Sequence, residues 1–227
     1  MQDVRVPISE IFGPTLQGEG VSIGRRAVFV RVAGCDSACE WCDTKYARDS
    51  ANGKMMTAQE IADDVGSRIG HGGLVVLTGG NPALYDLSEL CYLLKRSGKH
   101  IHMETQGTII PYWLDRVDLV TICPKVRSGE DIPEIVKKIW LAADLVGAVV
   151  LKYVVFTEQD YEDARAIAEN FPSMTMVIQP GYDCEKKEYP YGFTCLAERV
   201  AADGHMQRSV RFLPQLHRLL WGDRRGV

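Results

Sequence analysis

The sequence predicts an α/β fold built as an incomplete, open barrel of strands and helices. Short apolar runs rich in β-branched residues alternate with segments of helical periodicity, which is typical of right-handed βαβ units and a parallel sheet. A complete eightfold barrel takes about 250 residues, whereas this chain has 227. The connection of residues 105–118, which contains Gly107 and Pro111, is also too short to carry a full helix.

Each predicted element follows from its local pattern. The strands, bounded by turn residues, are Ile8–Phe12, Ala27–Val32, Leu74–Thr78, Ile101–Glu104, Leu119–Ile122, Ala148–Phe156, Thr175–Gln179 and Val210–Leu213. The helices are Thr57–Ile69, Leu87–Ser97, Ile132–Ala142, Glu158–Asn170 and Cys195–Ala202. We expect a capping box in which Asp86 and Glu89 each satisfy a backbone N–H at the start of the second helix. Segments 48–54 and 182–191 are predicted to be loops.

Composition and charge limit the classes of function. The formal net charge is −4, and no basic block is longer than Arg224-Arg225, which argues against a nucleic-acid partner. The longest apolar stretches, such as residues 145–151, fall far short of the roughly 20 residues that span a membrane. The length supports a single domain over residues 1–227. The first residues lack the apolar run of a signal peptide, so we expect a reducing, cytoplasmic location.

A cluster of three cysteines lies just after the strand that ends near Val32. Cys35, Cys39 and Cys42 are spaced C-x3-C-x2-C. A structural zinc site wants four ligands in a closed tetrahedron, and the nearest other candidate, His71, is almost 30 residues away. The missing fourth ligand therefore favours a [4Fe-4S] cluster that keeps one iron open. A zinc site and unligated cysteines remain alternatives.

The same segment resembles the signature of the radical S-adenosylmethionine superfamily, with Trp41 in the aromatic position of C-x3-C-x-aromatic-C. The resemblance implies an open iron that chelates S-adenosylmethionine, and an external electron donor whose electron cleaves it to a 5′-deoxyadenosyl radical. It assigns Trp41, Cys42 and Asp43 to the cofactor. Trp41 would lie near the adenine, although plain loop packing is the alternative.

A second segment, Thr78-Gly79-Gly80-Asn81-Pro82, resembles the superfamily's GGE-type motif. Its glycines would let the backbone approach the ammonium group of the cofactor. Asn81 stands where Glu is usual, so a charge-assisted bond would become a weaker neutral one. The alternative for Gly79 and Gly80 is an ordinary turn after a strand.

Motifs along the whole chain resemble one family of these enzymes, the 7-carboxy-7-deazaguanine synthases. They are TLQGEG at Thr15–Gly20, Arg31, CDT at Cys42–Thr44, ETQGT at Glu104–Thr108, CPK at Cys123–Lys125, QP at Gln179–Pro180, and the closing PQLHRLLWGDRRGV. That family of carbon–nitrogen lyases converts 6-carboxy-5,6,7,8-tetrahydropterin to 7-carboxy-7-deazaguanine with loss of ammonia, on the route to queuosine. The resemblance implies a small pterin substrate, Mg²⁺ as a further cofactor, and a homodimer.

The resemblance also assigns residues to the substrate: Leu16, Gln17, Gly18, Glu19, Arg31, Thr78, His217 and Val227. Backbone and side-chain groups of the TLQGEG motif can read the donor and acceptor edge of a pterin. The planar fork of Arg31 suits a carboxylate, and the terminal carboxylate of Val227 could accept from the substrate. Ordinary roles remain open, namely an ion pair for Arg31 and turn capping for Gln17, Glu19 and Thr78.

The remaining assignments concern the cofactors. The resemblance assigns to the adenosyl part of S-adenosylmethionine a set of residues at or near predicted strand ends, for which an ordinary structural role is the alternative: Glu104, Cys123, Pro124, Lys125, Lys152 and Gln179. Thr44 matches the family position whose hydroxyl ligates Mg²⁺, with a helix-capping hydroxyl as the alternative. Two rival functions remain: a radical activase that acts on a protein glycine, and a non-catalytic zinc-binding module.

Overall fold

The computed structural model describes residues 4–126, 129–205 and 209–227. Its strands are β1 (Arg5–Leu16), β2 (Arg26–Val32), β3 (Lys54–Thr57), β4 (Leu74–Gly79), β5 (His100–Thr105), β6 (Leu119–Ile122), β7 (Val149–Val155), β8 (Met176–Pro180) and β9 (Val210–Phe212). Its helices are α1 (Ala58–Ile69), α2 (Ser88–Arg96), α3 (Ile132–Leu145), α4 (Glu158–Glu169), α5 (Phe193–Ala202) and α6 (Leu216–Trp221). None of these helices is long and apolar enough to cross a membrane.

All the strands belong to one sheet in the order β3-β1-β2-β4-β5-β6-β7-β8-β9. β1 is antiparallel to both β2 and β3, whereas every pair from β2 to β9 is parallel. β3 and β9 are the two ends of this order and do not pair with each other. The sheet therefore does not close, which confirms the predicted incomplete, open barrel.

Successive side chains of each strand lie on opposite faces of the sheet, and the two faces differ in polarity. On β4, Val75 and Leu77 join the large core beneath the helices, whereas Val76 joins a smaller cluster with Phe29 on the other face. Two residues further along each strand, Arg31 and Thr78 pair in register on that same inner face. Because side chains alternate with a period of two, the inner face changes from apolar to polar toward the carboxyl ends of the strands.

The capping predicted for the second helix needed correction. The capping box predicted at Asp86 and Glu89 is wrong: α2 begins at Ser88 without a side-chain capping bond, and one carboxylate oxygen of Asp86 accepts the Ser88 N–H at 3.0 Å. The other carboxylate oxygen of Asp86 accepts the Tyr112 hydroxyl at 2.7 Å, so a tertiary contact fixes this end. Capping boxes instead start α1, at Thr57 and Glu60, and α4, at Thr157 and Asp160.

Two elements escaped the sequence analysis. β3 begins at the last residue of the predicted loop 48–54 and pairs with β1 at the sheet edge. It carries two methionines and lacks the strict alternation that marks a half-buried strand. α6 has only six residues, too few for a helical period to be read from the sequence. The predicted loop 182–191 contains only an isolated bridge between Asp183 and Glu188, as expected.

Candidate active site

A chamber of about 250 Å³ opens at the carboxyl ends of the parallel strands. One side, which we call the cysteine wall, comes from the loop after β2 and comprises Cys35, Ser37, Cys39, Trp41, Cys42, Asp43 and Thr44. The other side, the carboxylate wall, comprises Gln17, Glu19, Thr78, Glu104, Lys152, Gln179 and Gln215. The position agrees with the general rule that ligands of parallel sheets bind beyond the carboxyl ends of the strands.

The cysteine wall is shaped by hydrogen bonds within its own loop. The Ser37 N–H donates to Cys35 Sγ and the Thr44 N–H donates to Cys42 Sγ, both at 3.4 Å. The Cys42 N–H donates to the Cys39 carbonyl at 3.3 Å. Such N–H to sulfur bonds stabilise negative charge on the thiolates and are a feature of iron–sulfur sites.

The three cysteines line the same side of the chamber. Across residues 4–126, 129–205 and 209–227, no group of three His, Cys, Asp or Glu side chains is placed to hold one metal ion, as the closed tetrahedron of a zinc site would need. All three sulfur-bearing residues nevertheless line one chamber. Burial raises the pKa of the Cys39 and Cys42 thiols, so their thiolates need the positive charge of bound metal.

Trp41 lies at the chamber rim and has two aromatic or cationic neighbours. Its ring centroid is 4.9 Å from that of Phe156, and Lys125 Nζ is 4.4 Å above its ring. Lys125 also donates to Cys123 Sγ at 3.2 Å. Trp41 itself is 41% exposed, so a face of the indole remains available to a planar ligand.

The glycine motif after β4 is packed tightly against the cysteine loop. A Cβ at Gly80 would lie 1.9 Å from the Gly34 carbonyl oxygen, and one at Gly79 would lie 2.3 Å from the Val32 carbonyl oxygen. Gly79 also has a φ of +128°, which side chains rarely adopt. Only glycine allows this backbone to reach both the loop and the chamber.

Asn81 has a different place from the one predicted. Its amide nitrogen donates to Asp36 at 2.9 Å and to Thr108 at 3.2 Å, while its oxygen accepts from Thr105 and from the Ala83 N–H. These four bonds use the full capacity of the amide. The side chain therefore braces the cysteine loop through Asp36, and any contact of this motif with a cofactor is left to the backbone. Neither Asn81 nor Pro124 is among the residues that line the chamber.

Glu104 organises one half of the carboxylate wall. Gln17 donates to Glu104 Oε1 and Thr78 donates to Glu104 Oε2, both at 2.9 Å. The Gln17 oxygen accepts the Glu19 N–H at 3.2 Å, so the turn-capping alternative holds for Gln17. Glu104, which the sequence assigned to the cofactor, thus contacts two residues assigned to the substrate.

Glu19 and Lys152 form a buried ion pair at the centre of the other half. Their side chains are 13% and 9% exposed. Burial works against the charge of Glu19, but Lys152 and then His217 hold the pKa of Glu19 well below its ordinary value. Burial likewise opposes the charge of Lys152, but Glu19 and Glu104 raise the pKa of Lys152 above its ordinary value. Both groups are therefore charged at neutral pH.

Two buried amides complete this half. Gln179 donates to Glu19 Oε1 at 3.1 Å, and Gln215 donates to the same oxygen at 2.6 Å. Because the carboxylate fixes each NH₂ group, each amide oxygen points elsewhere, and both are buried without a partner among the described residues. An unpartnered buried acceptor costs about 1–3 kcal/mol, so this half of the wall carries an energetic cost in the protein without ligand. The sequence analysis missed Gln215, whose only signal was its place in the closing motif.

The other predicted residues also reach the chamber. Arg31 lines it, although its Nε donates to Glu10 at 2.9 Å, so the ion-pair alternative is also realised. His217 lies against Gly18, where a Cβ would be 2.3 Å from His217 Nδ1. Thr44 donates to Asp43 Oδ1 at 2.6 Å and does not cap the turn that follows it. Leu16 and Val227 also line the chamber.

Comparison with known proteins identifies the class to which this fold and chamber belong. Residues 29–171 match the model of the Radical SAM superfamily. The match includes the cysteine wall and the strands from β4 to β7. Members of this class use an iron–sulfur cluster and S-adenosylmethionine as cofactors.

Relatives narrow the class further. The chain is 37% identical to the 7-carboxy-7-deazaguanine synthase of Bacillus subtilis, with 98% of each chain covered. It is 34% identical to the Bacillus cereus enzyme of the same name, covering 98% of this chain and 99% of that one. The crystal structure of QueE from Escherichia coli superimposes with a TM-score of 0.69 at 25% identity, over 94% of this chain and 95% of that one. The chain therefore belongs to the 7-carboxy-7-deazaguanine synthases, a family of radical SAM lyases in 7-deazapurine biosynthesis.

Proposed function

We propose that the chamber binds 6-carboxy-5,6,7,8-tetrahydropterin on the carboxylate wall and S-adenosylmethionine against the cysteine wall, and that the product is 7-carboxy-7-deazaguanine with release of ammonia. The observation that carries this proposal is that the cysteine wall, the carboxylate wall and Arg31 line one chamber. The ring N–H and amino groups of a pterin would donate hydrogen bonds to the carboxylates of Glu19 and Glu104. A site that hydrogen-bonds a substrate in this way rejects analogues without those groups.

The charges of the chamber support the orientation of the substrate. Arg31 lines the chamber, and beyond its Nε bond to Glu10 its guanidinium makes no hydrogen bond with the described residues. These free N–H groups suit the substrate carboxylate. Glu104 and Glu19 are each held by neighbouring side chains, so the polar wall is fixed before a ligand arrives.

On the opposite side, Cys35, Cys39 and Cys42 would hold the iron–sulfur cluster. With cluster and S-adenosylmethionine bound, reductive cleavage of the sulfonium supplies the radical that abstracts a hydrogen atom. The backbone of Gly79 and Gly80 would receive the methionyl group, and the exposed face of Trp41 would contact the adenine. Lys125, above the same indole, would limit where the adenine can lie.

Mg²⁺ is proposed at Thr44. The Thr44 hydroxyl and the Asp43 carboxylate lie together on the chamber wall, and oxygen ligands suit this cation, which also keeps several waters. The matched pair Thr44→Ala and Thr44→Ser separates this role from packing. We expect Ser to keep the dependence of turnover on Mg²⁺ and Ala to lose it. A cytoplasmic homodimer of single-domain subunits that receives electrons from an external donor is likewise part of the proposal.

The direct test is anaerobic incubation of reconstituted protein with the carboxytetrahydropterin, S-adenosylmethionine and a reductant. Mass spectrometry should detect the deazapurine acid, and the expected ammonia should appear in equal amount. Gln215→Leu should raise the KM for the pterin about tenfold or more, because Glu19 loses a hydrogen bond that fixes its carboxylate. Cleavage of S-adenosylmethionine without conversion of the pterin would contradict the proposal and favour the activase.

A further inference from the structure

Glu10, which the sequence analysis did not single out, is the centre of a four-residue cluster beside the chamber. Arg31 Nε donates to Glu10 Oε1 at 2.9 Å, and the Tyr46 hydroxyl donates to the same oxygen at 2.7 Å. Arg225 Nε donates to Glu10 Oε2 at 3.1 Å. We call Glu10, Arg31, Tyr46 and Arg225 the Glu10 cluster. It joins β1, β2, the loop after the cysteines and the last residues of the sequence.

Arg225 is held by a second contact. Its guanidinium carbon lies 3.6 Å from the centroid of the Tyr46 ring, a separation at which a cation is attracted to the ring face. The next residue, Gly226, approaches Phe12, where an added Cβ would lie 3.9 Å from the Phe12 Cβ. Val227 then lines the chamber. Segment 222–227 is thus seated along the chamber rim by an ion pair, a cation–π contact and backbone packing.

The charges in the cluster are stable around neutral pH. Burial opposes ionisation of Glu10, but the Tyr46 hydrogen bond, Arg31 and Arg225 together hold the pKa of Glu10 below its ordinary value. Burial, with Glu10 beside it, raises the pKa of Tyr46 to about 12. One carboxylate therefore faces two guanidinium groups, and the positive excess lies beside the chamber.

We propose that Glu10 is a positioning residue that aims Arg31 at the chamber and, through Arg225, locks segment 222–227 over it. Glu10 is not among the residues that line the chamber, so it acts through its partners. It occupies the Nε edge of Arg31 and leaves the terminal N–H groups for a ligand carboxylate. The effect on catalysis rests on the proposed function, in which Arg31 binds the substrate carboxylate, whereas the seating of segment 222–227 does not.

Hydrogen exchange of segment 222–227, followed by mass spectrometry on protein without substrate, tests the lock directly. We expect Arg225→Gln and Glu10→Gln each to speed exchange of this segment about tenfold, which is the effect of one partly exposed charged contact. Arg224→Gln is the matched control: it removes the same charge one residue away, and the exposed Arg224 side chain makes no hydrogen bond, ion pair or cation–π contact with the residues that the structure describes. Equal exchange in Arg225→Gln and Arg224→Gln would overturn the proposal, even if Glu10→Gln folds poorly.

Steady-state kinetics tests whether Glu10 orients Arg31 toward the chamber. Glu10→Gln should raise the KM for the carboxytetrahydropterin about tenfold while kcat changes less than about threefold, because ground-state and transition-state binding are weakened together. The KM for S-adenosylmethionine should stay unchanged. In the exchange experiment, Arg225→Lys should keep much of the protection of segment 222–227 that Arg225→Gln loses. An unchanged KM for the pterin in Glu10→Gln would overturn the part of the proposal that concerns Arg31. Faster exchange in a protein that never converts the pterin would refute the proposed function and leave the lock standing.

Discussion

The two walls of the chamber are built in opposite ways. The sulfur atoms of the cysteine wall accept weak bonds mainly from backbone N–H groups of their own loop, and Trp41 is substantially exposed. In the carboxylate wall, Glu19 and Glu104 each bond side chains that come from distant parts of the sequence. The first wall can be changed with little loss of protein packing, whereas the second is part of what holds the barrel together.

Because of this difference, we expect substitutions in the cysteine wall to affect activity and substitutions in the carboxylate wall to affect stability. Replacement of a cluster ligand should remove chemistry and leave the fold, because its partners in the protein are few. Replacement in the carboxylate wall should weaken the fold, because buried charges there depend on each other.

Cys39→Ala should lower product formation at least about 10⁴-fold, since the cofactor chemistry is lost rather than weakened. The free energy of unfolding of the metal-free protein should change by no more than about 1 kcal/mol, because the side chain is small and only partly buried. Iron content, turnover and urea unfolding measure these effects. Cys195→Ala, at an exposed cysteine outside the chamber, should keep iron and activity. Retained iron and turnover in Cys39→Ala would refute the ligand assignment.

Glu19→Gln should destabilise the protein by about 3–5 kcal/mol, because Lys152 is left buried without its counter-charge. Urea unfolding at pH 7 gives the value. The exposed pair of Glu158 and Arg199 offers the control, and Glu158→Gln should cost less than about 1 kcal/mol. The double variant Glu19→Gln with Lys152→Met should recover much of the loss. Similar costs for Glu19→Gln and Glu158→Gln would show that the carboxylate wall is not structural.

His102 lies beneath the carboxylate wall and gives the protein a specific pH dependence. It is buried, bonds Thr121 at 2.7 Å, and has its pKa lowered by burial to about 4 from 6.5. Since the unfolded chain takes up this proton more readily, stability is fully present above pH 6.5 and is lost as the pH falls toward 4. The expected loss is about 3 kcal/mol.

The variant His102→Gln isolates this effect because its side chain does not titrate. Urea unfolding of both proteins should show that, between pH 7 and pH 4, the wild type loses about 3 kcal/mol more stability than the variant. Parallel curves would mean that His102 takes up no proton on unfolding. The carboxylates that share this pH range are common to both proteins and cancel in the difference.

Trp41→Phe should have the smallest effect. A smaller ring loses part of the stacking surface and of the attraction to Lys125, worth about 0.5–1 kcal/mol at an exposed site. The KM for S-adenosylmethionine should therefore rise about two- to fivefold, with stability nearly unchanged. Trp140→Phe, an exposed tryptophan on α3 that does not line the chamber, is the control. No difference between the two variants would assign Trp41 to loop packing.

Local patterns predicted more of the fold than of the contacts within it. The strands that became β2 and β4 to β8 were recognised because their apolar runs are largely buried and end in turn residues. β3 and α6 were missed because each is short and stabilised by its neighbours. The capping residues of α2 were misassigned because Tyr112, distant in sequence, binds Asp86.

The site shows the same division. The spacing of Cys35, Cys39 and Cys42 is a local property, so the sequence alone marks that wall. Gln215 and Glu10 were not singled out, since each bonds a partner about 200 residues away in the chain that its own segment does not reveal. Lys152 and Gln179 were placed at the correct rim, but their contacts with Glu19 could not be read from their own segments.

The order of most elements and the close spacing of the three cysteines were therefore determined by the sequence itself, because periodicity and spacing act over a few residues. Only the tertiary structure decided which polar side chains share a charge, which amide oxygens are left without partners, and where segment 222–227 lies. Those outcomes depend on distances between residues far apart in the chain, and these distances are set when the sheet curls and its carboxyl edge surrounds the chamber.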